Sequence, residues 1–145
     1  MRELDAAGYI GTLKELVEEG HEVSLLISGS SMAPFLIHHR DMIYFKAPDR
    51  ALKRGDMVFF QRESGQFVMH RIRFVKADGY YLIGDGQRET EGPIARERIF
   101  AVVTAVRRKG KVIRPGAFTW EFFARVWLRL IPLRGIISRL YARLS

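Results

Sequence analysis

A mainly β domain with a helix at each end is the fold this sequence predicts, on three observations. Seven short apolar segments of strand length lie between residues 23 and 113. Turn signals rich in Gly, Asp and Pro separate them, and helical periodicity is confined to the two ends of the chain. The length of 145 residues suits one domain. A hydrophobic fraction of 48% with 28% charged residues excludes a disordered chain. The absence of cysteine excludes disulfides, thiolate metal sites and a cysteine nucleophile.

Residues 1–22 read as a short helix: Ile10, Leu13, Leu16 and Val17 recur at helical spacing, and Glu18-Glu19-Gly20 ends the run. Residues 23–114 form the β domain. Val23, Leu25 and Ile27 alternate with smaller or polar neighbours. Strand-like runs follow at Met42–Lys46, Met57–Arg62, Phe67–Val75, Tyr80–Ile83, Ile99–Arg107 and Lys111–Ile113. The breaks between them include Pro48-Asp49, Arg54-Gly55-Asp56, Ser64-Gly65, Asp78-Gly79, Gly84-Asp85-Gly86, Gly92-Pro93 and Lys109-Gly110. Frequent turns between short strands predict a barrel-like or sandwich core.

Residues 115–145 are a helical extension. On a helical wheel Phe122, Phe123, Val126, Trp127, Leu130, Leu133, Ile137, Leu140, Tyr141 and Leu144 share one sector. Arg125, Arg129, Arg139 and Arg143 group outside it, and Pro132 is expected to kink the helix. Charge follows the same divisions. Residues 1–24 hold 2 basic and 6 acidic side chains, residues 25–114 hold 17 and 9, and residues 115–145 hold 5 and 1. The longest stretch without Asp, Glu, Lys or Arg, Val23 to His39, contains Ser-Gly-Ser-Ser and Pro34 and is not expected to span a membrane. Met-Arg-Glu-Leu-Asp at the start offers no apolar signal-peptide core.

Three segments can carry chemistry. Ser28-Gly29-Ser30-Ser31-Met32-Ala33-Pro34-Phe35-Leu36 leaves the first strand, and such a turn can hold a hydroxyl and amide donors exposed beside a base. Phe67-Val68-Met69-His70-Arg71-Ile72 sets a histidine in an apolar strand. Gly84-Asp85-Gly86-Gln87, with Glu89 and Glu91 beyond, puts carboxylates in a loop leaving a strand. Alone, each has a plainer reading: a polar turn, a core histidine, a hairpin.

Taken in order, they resemble the signal peptidase I and LexA-like superfamily of serine peptidases. Gly29 to Leu36 matches its Gly-x-Ser-Met-x-Pro-x-Leu box, and Leu52 to Val58 its Leu-x-x-Gly-Asp-x-Val box. His70-Arg71 matches the general-base strand of the Ser-His members, the SipW-type and endoplasmic-reticulum enzymes. The resemblance covers about residues 23–106 and implies the family's bent antiparallel sheets.

It implies Ser31 as nucleophile and His70 as general base, with Asp85 or Glu91 orienting the histidine; where the family usually has Asp, Glu91 stands here. Ser28, Gly29, Ser30, Met32 and Pro34 fall at the oxyanion and substrate-binding positions. Two departures stand out: Gly29 replaces a serine that assists the oxyanion hole in many bacterial members, and Arg40-Asp41 replaces the Gly-Asp that follows the serine box. The family's membrane anchor has no counterpart that this sequence predicts.

The expected activity is serine endopeptidase cleavage of a peptide or leader-type substrate, without cofactor or metal. The alternative is a non-catalytic or self-cleaving module, for which Ala7-Gly8 is the candidate bond. His38-His39 are adjacent histidines expected to point apart, which argues against a metal site. A histidine base implies activity that rises across pH about 6–7.5. The partner classes are a peptide or protein substrate, an anionic membrane surface met through the C-terminal helix, and a second copy of the chain as a homodimer. Specific nucleic-acid binding is not expected. The location implied is cytoplasmic, with a peripheral place at the inner membrane face.

Overall fold

The computed structural model describes residues 3–29 and 32–130. It is mainly β: helix α1 (Glu3–Glu18) precedes one open antiparallel sheet, and a short helix α2 (Phe118–Glu121) follows it. The strands are β1 (Val23–Leu26), β2 (Met42–Lys46), β3 (Met57–Gln61), β4 (Phe67–Lys76), β5 (Gly79–Ile83), β6 (Glu91–Ile94), β7 (Ile99–Arg108) and β8 (Lys111–Ile113). Their order is β1-β2-β7-β3-β4-β5-β6, with β8 also on β7. β7 is the shared strand: Ile99–Val102 pairs with β3, and Val102–Arg107 pairs with β2.

α1 stops where the sequence says it should. Gly20 takes φ +98, and the bonds Gly20 N–H to Val17 O and His21 N–H to Leu16 O close a Schellman motif. Leu13 and Val17 are buried in the core, whereas Leu16 turns outward at 37% exposure.

Two cores flank the sheet, and β3 serves both. Its side chains alternate between them with the strand period: Met57 and Phe59 join Phe35, Phe45, Ile43 and Trp120 in one cluster, and Val58 and Phe60 join Leu52, Ile72, Leu82 and Ile94 in the other. This explains why β3 reads as a continuous apolar run rather than an alternating one.

β6 runs through Gly92-Pro93, where the sequence suggests only a turn. It is an edge strand on β5, and an edge tolerates a residue without an N–H. A Cβ on Gly92 would lie 2.7 Å from Tyr81 Cδ1 and 2.8 Å from Tyr80 O, so this close approach requires glycine.

After α2 the chain continues as a π-helical segment, Phe122–Trp127. Trp120, Phe123, Trp127 and Leu128 are buried, with Phe123 stacked on Phe35 at a centroid separation of 4.7 Å. Val126 faces outward instead, because the wider i→i+5 turn departs from the wheel drawn at ordinary α spacing. Pro132, Leu133, Arg134, Ile137, Arg139, Leu140, Tyr141, Arg143 and Leu144 lie outside the described residues. Among the described residues no helix is long and apolar enough to cross a membrane.

Candidate active site

The serine segment is a loop tied at its neck. Ile27 N–H donates to Asp41 O at 2.8 Å, and His39 N–H donates to Ile27 O at 2.9 Å. Asp41 is fully buried and is the hub of this closure. It accepts from Ile37 N–H at 2.8 Å, Lys109 N–H at 3.1 Å and the Arg40 guanidinium at 2.8 Å. Burial alone would raise the Asp41 carboxyl, but the Arg40, Ile37 and Lys109 hydrogen bonds outweigh it and hold the group below its ordinary range. Arg40-Asp41 therefore closes the loop, and the left-handed backbone position falls one residue earlier, at His39 with φ 60.

Ser30 and Ser31 lie outside the described residues. Their covalent neighbours are fixed on both sides. Gly29 N–H donates to His38 Nδ1 at 2.7 Å. Met32, at 2% exposure, opens a helical turn closed by Leu36 N–H to Met32 O. His38 and His39 do not point apart: the left-handed His39 backbone brings their rings into a stack, with centroids 3.5 Å apart. The His38 nitrogen facing the loop is thereby occupied by an amide.

Ser28, Gly29, Met32 and His70 all line one cleft of about 420 Å³, with Leu25 and Ile27 from the β1 side and Phe67, Val68 and Met69 from β4. Arg62, Gln66 and Gln87 supply polar groups to the same lining. Pro34 is not in it; its carbonyl accepts from Arg108 at 3.5 Å, beside the Arg108 to Phe35 O bond at 2.8 Å.

His70 sits opposite Val58 in the β3–β4 ladder, with its ring 5.9 Å from that of Phe60. It is 3% exposed, and its Nδ1 has no hydrogen-bond partner among the described residues. Burial lowers its pKa to about 4; the Glu91 charge opposes this shift and Arg62 adds to it. The imidazole is therefore neutral near pH 7 and able to accept a proton.

Neither candidate acid reaches the Nδ1 of His70. Asp85 is fully buried and held at both oxygens by Arg71, Nε to Oδ1 at 2.8 Å and Nη2 to Oδ2 at 2.7 Å. Arg71 Nη1 donates to Gly55 O at 2.9 Å, and its guanidinium lies 5.5 Å from the centre of the Phe35 ring. Trp127 Nε1–H then donates to Asp85 O at 2.7 Å. The Gly-Asp loop, the Arg71 strand, the serine loop and the C-terminal segment thus form one connected network. Glu91 is held by Arg62, Nε to Oε2 at 2.9 Å and Nη2 to Oε1 at 2.7 Å.

Arg62 and Trp127 were not legible as site residues. Each meets its partner across a long sequence separation, 29 residues to Glu91 and 42 to Asp85. The adjacency of Arg71 to His70 was the available signal for Arg71.

An open antiparallel sheet, with a serine loop leaving its edge strand and a histidine strand lining the same cleft, is the layout of a LexA/signal-peptidase-like domain. A family model described as Peptidase S24-like matches residues 3–104, and the chain belongs to that family. No curated protein and no solved structure matches the chain significantly.

Proposed function

We propose that the protein is a serine endopeptidase acting on an extended peptide or leader-type substrate through Ser31 and His70, in the manner of the Ser-His signal peptidases. The observation that carries this reading is the shared cleft. His70 lines it together with Gly29 and Met32, the described residues that bracket the serine pair.

In this reading neutral His70 takes the Ser31 proton as Oγ attacks the scissile carbonyl, then gives that proton to the departing amine. The acyl-enzyme is released by water along the reverse route. β1 pairs only with β2 among the described residues, so a peptide can add to its other edge and lay alternate side chains into the apolar cleft. Ala7-Gly8 lies inside α1, where its backbone is helical rather than extended, and this favours a substrate other than the chain's own N-terminus.

A second reading, a non-catalytic module of the same fold, is favoured by one observation: both candidate acids are committed to arginines, and His70 Nδ1 has no partner among the described residues. Capture of a peptidyl phosphonate separates the two. Stoichiometric labelling at Ser31 that is lost in His70→Ala is the peptidase outcome. No labelling between pH 5 and pH 9 is the module outcome and ends the enzyme reading.

For location, we propose a peripheral contact with an anionic membrane surface through the C-terminal segment. Phe118 is 85% exposed, Val126 is exposed, and Arg125 and Arg129 flank them.

A further inference from the structure

The proposed mechanism makes no use of His38. Yet its ring holds the last described residue before the serine pair. The loop has one anchor on its far side, where Met32, Phe35 and Leu36 are buried. On its near side the chain leaves β1 through Ser28, which is exposed, and the next tie is the Gly29 N–H to His38 Nδ1 bond of 2.7 Å. Gly29 has φ +91, and a Cβ there would meet nothing within 4 Å. Among the described residues no side-chain packing restrains it, and the hydrogen bond is the tie that remains.

The donor is a backbone amide, so Nδ1 must be the unprotonated nitrogen of His38 and its ring hydrogen sits on Nε2. His38 is exposed, and water competes for the same amide. His39 restrains the ring by covering one face of it, with the planes inclined by 29°, and so holds Nδ1 toward the amide. The left-handed His39 backbone makes that stacking possible.

We propose that His38 is a positioning residue for the serine loop: its Nδ1 clasps the Gly29 N–H, His39 braces the clasp, and together they fix the backbone at Gly29, two residues before Ser31. Losing the clasp frees rotation at Gly29, two residues before Ser31. Such a loss lowers the acylation rate and leaves peptide binding in place. The kinetic consequence rests on the serine-peptidase reading; the clasp itself does not.

The test compares the full chain with His38→Ala, His38→Asn, His38→Gln and His39→Gly. Asn places Oδ1 where histidine has Nδ1, whereas Gln places its oxygen one bond further out. In 15N-labelled protein the clasp gives a scalar coupling between the Gly29 amide nitrogen and His38 Nδ1, weakened in His39→Gly. Phosphonate capture is expected to fall about five- to tenfold in His38→Ala and His38→Gln, the range set by one hydrogen bond, with affinity for a non-reactive peptide unchanged. His38→Asn is expected to return it to within about twofold of the original rate, near the precision of transferring one such bond.

Absence of the coupling, with amide exchange at residues 29–31 unchanged in His38→Ala, overturns the clasp. A coupling present while His38→Ala acylates at the original rate overturns the positioning role. If the original chain captures no electrophile, the peptidase reading fails by itself. Amide exchange at residues 29–31 then decides the proposal: faster exchange in His38→Ala and not in His38→Asn upholds the clasp, and equal exchange in all variants removes it.

Discussion

Arg71 on β4 and Asp85 in the loop after β5 meet as a fully buried, two-pronged ion pair, 14 residues apart in the chain. The pair lies directly beside His70 in sequence yet leaves the imidazole untouched. Its work is to hold the Gly84-Asp85 loop against β4, where Gly55 O also accepts from Arg71 Nη1 and the Trp127 indole donates to the Asp85 backbone carbonyl.

Breaking this pair from one side leaves a buried charge without a counterion. Asp85→Asn or Arg71→Met is expected to cost about 3–5 kcal/mol in urea unfolding, whereas Arg71→Met with Asp85→Leu recovers most of that loss. A double variant no more stable than the worse single one rules out a role confined to charge pairing.

Stability is expected to depend on pH through His70. Its folded pKa of about 4 lies below the unfolded value near 6.5, so between those values the unfolded chain binds the extra proton. The contribution of neutral His70 is complete above pH about 6.5 and is lost as the pH falls toward 4, reaching roughly 2–3 kcal/mol at pH 4.5. Unfolding curves at pH 7 and pH 4.5 should therefore converge by that amount in His70→Leu. An undiminished acid sensitivity in that variant places the titrating group elsewhere.

The same burial moves the expected acid limb of activity. A histidine at its ordinary value gives a limb across pH about 6–7.5, as the sequence suggests. With the folded pKa at about 4, the limb in kcat/KM belongs near pH 4–5. Glu91→Gln removes the charge that supports protonated His70 and should push the limb lower. Arg62→Gln removes the opposing charge and frees Glu91, which should push it higher. NMR titration of His70 gives the same ordering without turnover, and a limb unmoved by both substitutions separates His70 from the Arg62–Glu91 pair.

Membrane contact through Phe118, Val126, Arg125 and Arg129 is expected to appear as binding to vesicles containing phosphatidylserine and not to neutral ones. About 1 kcal/mol per arginine near the surface makes the binding salt-sensitive. Phe118→Ser should weaken it without disturbing the buried Trp120, Phe123 and Trp127. Equal behaviour on neutral and anionic vesicles ends the surface-contact proposal.

Much of the fold was legible because strand burial follows strand period. Met42–Lys46, an apolar run of strand length, alternates in its exposure, and Gly20 ends α1 where the sequence says it should. β6 was hidden because glycine and proline signal a turn locally, while pairing with β5 is decided by Tyr80 and Leu82 far upstream. Val126 was misplaced because a wheel at α spacing cannot register a π turn. At the site, the His70-Arg71 dipeptide and the serine box were readable as chemistry. What the sequence could not reveal is that Asp85 and Glu91 are each claimed by an arginine, since strand register decides which of several basic residues arrives there.

Trp127 closes the Asp85 loop from a point beyond the residues that match the family, 3–104. During vectorial synthesis every other member of that network is made before this indole. A nascent chain holding the complete family region therefore carries its serine box, its histidine and its buried ion pair without the final clamp on the Gly-Asp loop. Docking of the Asp85 loop is thus tied to a residue translated after the family region.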